Sequence, residues 1–174
     1  MTTIIGTKKD DTIVTGSGSD NIDGGSGDDA IKADAGNDTV EGGEGDDKIS
    51  GGDGDDILVG RGGQDVLSGG AGDDVFAYLN LGDGADRILD YNAAEDDKLD
   101  LSAMLDSGFA AAGSRVEDFV QLTQSGSDIS IPVDVDGAAN GADFAPVIVL
   151  VGCATLGDDP VMAMFGSGTQ TMGV

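Results

Sequence analysis

The chain has 174 residues, with 34 Asp plus Glu against 8 Lys plus Arg, a net charge of -26, 31 Gly, one Cys and neither His nor Trp. Without His there is no Ser-His-Asp triad and no His-ligated zinc, and one Cys makes neither an internal disulfide nor a thiolate cluster. The acidity argues against any polyanionic partner, and no nucleic acid is expected, because that binding rests on Lys and Arg neutralising phosphates. The length fits one ordinary domain or two small ones. No apolar run approaches the roughly 20 residues of a membrane helix, so no transmembrane segment is expected. The start, MTTIIGTKKDD, has no apolar h-region, so no cleaved N-terminal signal peptide is expected.

From Gly6 to Ala77 the chain divides into nines without insertion: GTKKDDTIV, TGSGSDNID, GGSGDDAIK, ADAGNDTVE, GGEGDDKIS, GGDGDDILV, GRGGQDVLS and GGAGDDVFA. The sixth position is always Asp: Asp11, Asp20, Asp29, Asp38, Asp47, Asp56, Asp65 and Asp74. The eighth is always apolar, from Ile13 to Phe76, and the fourth is Gly in seven of eight units, Lys9 being the exception. A Gly/Asp-rich disordered tract would not keep this phase; chance alignment is rarer than about one in ten thousand.

One apolar residue in nine cannot make a helix face, which needs apolar positions three and four apart. The period suits a six-residue turn followed by a three-residue strand whose middle residue, the eighth, points inward. Neighbours such as Lys32, Glu41 and Ser50 then point out. Two units make one turn of a flattened solenoid, and eight make about four turns. Stacking pairs the sixth-position residues as Asp11/Asp29, Asp20/Asp38, Asp29/Asp47, Asp38/Asp56, Asp47/Asp65 and Asp56/Asp74. Such carboxylate columns repel themselves unless cations lie between. Carboxylates with turn carbonyls, and no nitrogen or sulfur, form a hard-oxygen set that suits Ca²⁺ better than Mg²⁺. Pair counting gives about six ions in the repeats. Eight inward apolar side chains cannot offset the entropy of ordering so many glycines, so the metal should supply folding free energy.

The GGxGxDxUx pattern resembles the RTX, or haemolysin-type, calcium-binding nonapeptide. GGSGDDAIK, GGEGDDKIS, GGDGDDILV and GGAGDDVFA match every defined position, whereas GTKKDDTIV and ADAGNDTVE depart at glycines. The resemblance implies an all-β fold, a right-handed parallel β-roll with Ca²⁺ between successive turns. It places metal ligands at the sixth-position Asp residues and at Gly25, Gly27, Gly43, Gly45, Gly52, Gly54, Gly70 and Gly72. It also implies export by type I (ABC transporter) machinery to the extracellular space.

Glycine thins after the repeats: 19 of the 31 lie in residues 1–77. The expected division is a roll over 1–79 and a β-rich capping and secretion-signal region over 80–174. Phe76–Leu79 should continue the last strand, and Arg87–Tyr91 and Lys98–Leu101 read as short strands. This stretch is similar to the D-x-I-x-D-F…E-D-K-L-D-L-S segment that follows the roll in many type I secreted proteins, with Tyr91 in place of the usual Phe. That similarity implies further Ca²⁺ ligands at Asp86, Asp90, Asp97 and Asp100; a solvated acidic loop is the alternative. Ser114–Glu117 reads as a capping box that starts a short helix through Val120. Residues 129–135 alternate as a half-buried strand, with Pro132 pointing to a sheet edge. Pro146–Val151 is a further strand. The intervening 134–143 reads as a hairpin connection, or else as a loose calcium loop through Asp134, Asp136, Asn140 and Asp143. Asp159 and Pro160 could cap a last short helix.

The functional expectation is a non-catalytic calcium module that folds on Ca²⁺ outside the cell and supports type I secretion and stability of an exported protein. The alternative is a free-standing extracellular protein that binds a surface or glycan.

Overall fold

The computed structural model describes residues 1–80, 83–103, 120, 122–134, 144–153, 161–165 and 168–171. The repeats form β1 (Thr3–Thr7), β2 (Thr12–Ser17), β3 (Asn21–Ser26), β4 (Ala30–Ala35), β5 (Thr39–Glu44), β6 (Lys48–Asp53), β7 (Ile57–Gly62), β8 (Val66–Ala71) and β9 (Val75–Ala77). Successive strands alternate between two sheets. Odd-numbered strands stack in one and even-numbered strands in the other, all parallel and eighteen residues apart in register, as in Ile22↔Val40 and Ile31↔Ile49. This is a parallel β-roll.

The strands are longer than the period alone predicts. Each full strand holds six residues and each turn three, not three and six. The reason lies in the first repeat glycine. Pairing passes from Asp23↔Glu41 directly to Gly25↔Gly43, stepping over Gly24, so the strand bends there and then resumes. Backbone bonds also tie the turns together. Lys48 N–H donates to the Asp29 carbonyl at 2.8 Å, and Gly45 N–H to the Gly62 carbonyl at 2.7 Å, and equivalent bonds recur along both edges.

The eighth-position side chains fill the space between the sheets. Ile13, Ile22, Ile31, Val40, Ile49, Leu58, Leu67 and Phe76 are all buried, while Lys32 is exposed and Glu41 and Ser50 half-buried. The strand alternation expected from period two accounts for this.

Both sheets continue beyond the repeats. β10 (Asp86–Ile88) pairs with β8, and β11 (Lys98–Asp100) pairs with β9, each parallel. The roll therefore has about five turns instead of about four. A 3-10 turn, Ala93–Glu95, lies between them; the Asn92 side chain caps it by accepting from Ala94 N–H. Then come β12 (Thr123–Ser125), β13 (Asp128–Asp134), β14 (Phe144–Leu150), β15 (Val161–Phe165) and β16 (Gly168–Thr171). β14 adds in parallel to β10 and β15 to β11, whereas β12, β13 and β14 pair antiparallel, as do β15 and β16.

Two expectations are corrected here. Pro132 is not on an edge, because β13 lies between β12 and β14; the missing N–H is absorbed by a register shift between Ile131 and Pro132. The segment after Pro160 is strand β15, not a helix, and its backbone completes the sheet beside β11. β13 and β14 pair antiparallel, as a hairpin connection requires. The expected helix start at 114–117 lies outside the described residues, as do residues 135–143 of the loop between β13 and β14.

Candidate metal centre

Each three-residue turn ends on a sixth-position Asp, so the two edges of the roll carry two columns. Along one edge, Asp11 N–H donates to Asp29 Oδ1 (2.7 Å), Asp29 N–H to Asp47 Oδ1 (2.8 Å) and Asp47 N–H to Asp65 Oδ1 (2.8 Å). Along the other, Asp20, Asp38 and Asp56 donate to Asp38, Asp56 and Asp74 at 2.6, 2.8 and 3.0 Å. Each carboxylate thus spends one oxygen on the backbone of the preceding turn.

The second oxygen has no such use. Oδ2 of Asp29, Asp38, Asp47, Asp56, Asp65, Asp74 and Asp86 is buried and accepts no hydrogen bond. An unpaired buried carboxylate oxygen costs several kcal/mol in general, so a proton or cation is required there. Burial first, and neighbouring carboxylates with it, push these acids up against the backbone N–H groups that pull them down. Asp47 and Asp74 are raised to about 7, Asp56 and Asp65 to about 6, and Asp86 to about 8. Asp29, Asp38 and Asp97 are raised also, chiefly by burial. The first-turn acids differ. Asp11 Oδ2 accepts from Thr7 N–H (2.6 Å) and Thr7 Oγ1 (2.8 Å), and Asp20 Oδ1 accepts from Thr2 N–H at 2.5 Å, the bond that lowers its pKa.

Carbonyl oxygens share the space into which these orphan oxygens point. A Cβ built on Gly24 would meet Asp29 Oδ2 at 2.6 Å and overlap the Gly42 carbonyl oxygen from the turn above. On Gly42 it would meet the Gly60 oxygen at 2.8 Å, and on Gly51 the Gly69 oxygen at 2.7 Å, overlapping Asp47 Oδ2 and Asp56 Oδ2 respectively. From the turn below, the carbonyl oxygens of Gly25, Gly27, Gly52 and Gly54 crowd the α-carbons of Gly43, Gly45, Gly70 and Gly72. Those second- and fourth-position glycines carry φ from 103° to 131°, which only glycine adopts without strain. The absent side chains leave a cradle of oxygens between stacked turns. Among the described residues no three acidic or sulfur-bearing side chains converge, so carbonyls must complete any ligand set. One carboxylate oxygen with several carbonyls and no soft atom is a donor set that fits Ca²⁺.

A family profile described as the RTX calcium-binding nonapeptide repeat matches four overlapping stretches, residues 2–31, 23–58, 32–67 and 50–77. Residues 2–77 are an RTX calcium-binding repeat array. Comparison with curated protein sequences returns no match. Among solved structures, a subunit of the mannuronan C5-epimerase from Azotobacter vinelandii is 24% identical, with a TM-score of 0.47, covering 95% of this chain and 88% of that one. A second subunit of the same enzyme is 22% identical with a TM-score of 0.48, covering 95% and 94%. The extracellular lipase LipA of Serratia marcescens is 18% identical with a TM-score of 0.33, covering 87% of this chain and 38% of the lipase.

The two columns run past the RTX array. Asp65 N–H donates to Asp86 Oδ1 at 2.9 Å, and Asp74 N–H to Asp97 Oδ1 at 3.1 Å, so both acids continue the backbone series, but only Asp86 keeps an orphan Oδ2; Asp97 Oδ2 accepts from Asn92 N–H at 2.7 Å. Asp90 lies beside the second column, where its charge raises Asp74 and Asp97, but both its oxygens are engaged, with Ser68 Oγ at 2.6 Å and Gly69 N–H at 3.0 Å. Asp100 is apart from both columns and accepts from Ser102 N–H at 2.9 Å.

Three features went unread in the sequence. The first glycines of the units, Gly24, Gly42, Gly51, Gly60 and Gly69, face the orphan oxygens; the doubled glycine that opens these units, except at Gly60, was the available sign. The fifth-position residues form outer, exposed ladders, such as Asp46 N–H to Asp28 Oδ1 (3.0 Å) and Asp73 N–H to Asp55 Oδ1 (3.1 Å), signalled by the Asp-Asp dipeptides. Asp83 folds the exit from the array by accepting from Leu79 and Asn80 N–H at 2.9 and 2.8 Å.

Proposed function

We propose that this chain is a calcium-folded module that supports type I secretion and the stability of an exported protein. The observation that carries the reading is the series of seven buried carboxylate oxygens without a hydrogen-bond partner. Asp29, Asp38, Asp47, Asp56, Asp65 and Asp74, extended by Asp86, supply carboxylate oxygen. The second- and fourth-position glycines supply carbonyl oxygen. Bound Ca²⁺ neutralises the columns and cross-links successive turns. In calcium-poor cytoplasm the chain stays unfolded and export-competent; in calcium-rich medium it folds. β14 and β15 cover the last turn, because an open solenoid end exposes an apolar layer and unpaired strand edges, and residues 80–174 carry the transport signal. No catalytic role is part of this reading.

The test is export. The full chain is co-produced with a type I transporter, and the medium is assayed with and without calcium. The expected result is accumulation outside the cell as a protease-resistant species only when calcium is present. Retention in the cytoplasm under both conditions would contradict the secretion role.

A second reading is binding of an anionic surface or glycan. The observation favouring it is a shallow groove of about 390 Å³ on the outer face of the even-numbered sheet, lined in part by Lys32, Lys48, Val14, Val66 and Leu89. Arg87 stands in register with Val66. Three of the chain's eight basic residues thus face one side of a strongly acidic molecule. Binding to acidic polysaccharide that is lost in Lys32→Glu/Lys48→Glu, with calcium held constant, is the expected result of that reading.

A further inference from the structure

Tyr78 follows β9 and turns its ring into the core, where it is among the largest fully buried side chains. Its backbone is fixed by N–H donation to the Asp100 carbonyl at 2.9 Å. Its hydroxyl forms no hydrogen bond of good geometry, although the Asp86 carboxylate lies close enough to interact with it. Burial first, then the charge of Asp86 and hydrogen bonding to its carboxylate, then the charges of Asp65 and Asp83, drive the hydroxyl's pKa far above the ordinary phenol range. Asp86 and Asp65 each keep a buried Oδ2 without a partner, and both residues are at most 1% exposed. Two orphan carboxylate oxygens, on Asp65 and Asp86 of adjacent turns, and one phenol oxygen are thus buried in the same stretch of the roll. A single phenol proton can serve only one of them.

This is also where the repeat geometry breaks. Within the array, the cradles at Gly24, Gly42 and Gly51 each receive a carbonyl oxygen from the glycine one turn above. At Gly60 the three nearest atoms all belong to Asp65, because the next turn is not a repeat and brings no first-position glycine. The spacing from Asp65 to Asp86 is 21 residues instead of eighteen. The extra residues carry Gly84 against the Gly63 carbonyl with φ 77°, so tightly that a Cβ there would overlap the oxygen. No carbonyl oxygen crowds this cradle as in the layers below, and the layer holds a buried hydroxyl instead.

We propose that the Tyr78 hydroxyl supplies the missing oxygen and completes a terminal Ca²⁺ site with Asp65 Oδ2 and Asp86 Oδ2. The proposal rests on the calcium reading of the columns above. It assigns to a core tyrosine the task of ending the series where the glycine pattern stops. A neutral phenol oxygen is a hard donor, so the layer keeps its preference for a calcium-like ion.

The experiment measures bound calcium per chain at fixed free calcium, by equilibrium dialysis of the full chain and of Tyr78→Phe, with Tyr91→Phe as control. Phe keeps the ring in the core and removes only the oxygen. The expected result is one ion fewer for Tyr78→Phe, or at least a tenfold weaker final binding step, with Tyr91→Phe like the unaltered chain. Equal stoichiometry and affinity in Tyr78→Phe would overturn the site while leaving the calcium reading standing. No calcium bound to the unaltered chain would overturn both. Should Tyr78→Phe fail to fold, Tyr91→Phe offers a second measurement, since the chain has no Trp and two Tyr. Terbium in place of calcium should then luminesce on excitation of Tyr78, the one tyrosine remaining; a dark terbium complex would overturn the site.

Discussion

Gly51 shows how much a single missing methyl decides. A Cβ there overlaps Asp56 Oδ2 and lies 2.7 Å from the Gly69 carbonyl oxygen. Gly51→Ala should therefore cost about 1–3 kcal/mol and one bound ion, measured by thermal unfolding in saturating calcium and by calcium stoichiometry. Gly126→Ala, at a turn with φ 68° and open space, should cost only about 1 kcal/mol and no ion. Protonation acts at the same atoms. Burial raises Asp47, Asp56, Asp65, Asp74 and Asp86 to about 6 to 8 in the folded chain, against an ordinary aspartate value of 3.8. The calcium-free fold thus binds more protons than the unfolded chain. Its stability is greatest below pH 3.8 as far as these groups are concerned, and it falls as pH rises through 6 to 8. Calcium must displace those protons, so its apparent affinity should run the opposite way, weakening from pH 8 to pH 5.5 in a calorimetric titration. An affinity unchanged over that range would mean the raised carboxylates are not the ligands.

Strands in this protein are units of a stack. Leu58 is fully buried between the sheets in β7, with Val40 and Phe76 in register on either side. Leu58→Ala should destabilise by about 2–5 kcal/mol. Folding and binding are coupled, so the loss should also appear as a higher calcium midpoint for β-sheet formation, measured by circular dichroism. The repeated part was legible because period nine leaves one apolar residue per strand and one fixed Asp per turn, and nothing else satisfies both. The bend at the first glycine was not legible: period alone cannot say whether a glycine ends a strand or kinks it. Asp86 and Asp97 could be placed only by resemblance, since their spacing from Asp65 and Asp74 breaks the eighteen-residue step. β15 was misread as a helix because a Pro at its start signals a helix as readily as an edge strand, and the deciding partner, β11, lies some sixty residues back.

Charge dominates the molecule as a whole. A net charge of -26 on 174 residues opposes any compact state. The roll adds to that opposition by bringing its acids into two buried columns. Apolar packing alone is one narrow file of side chains per sheet. Calcium answers both problems at one position, by neutralising the columns and joining each turn to the next. Monovalent salt screens exposed charge but cannot enter the cradles as a multidentate partner, so sodium chloride should not substitute for calcium. The decisive measurement is far-UV circular dichroism of the full chain during a calcium titration, with magnesium as control and a chelator to reverse it. The expected result is a cooperative, reversible change from coil to β-sheet with calcium and not with magnesium. A chain already rich in β-sheet in chelator at neutral pH would contradict calcium as the agent of folding and reduce it to a ligand of a preformed roll.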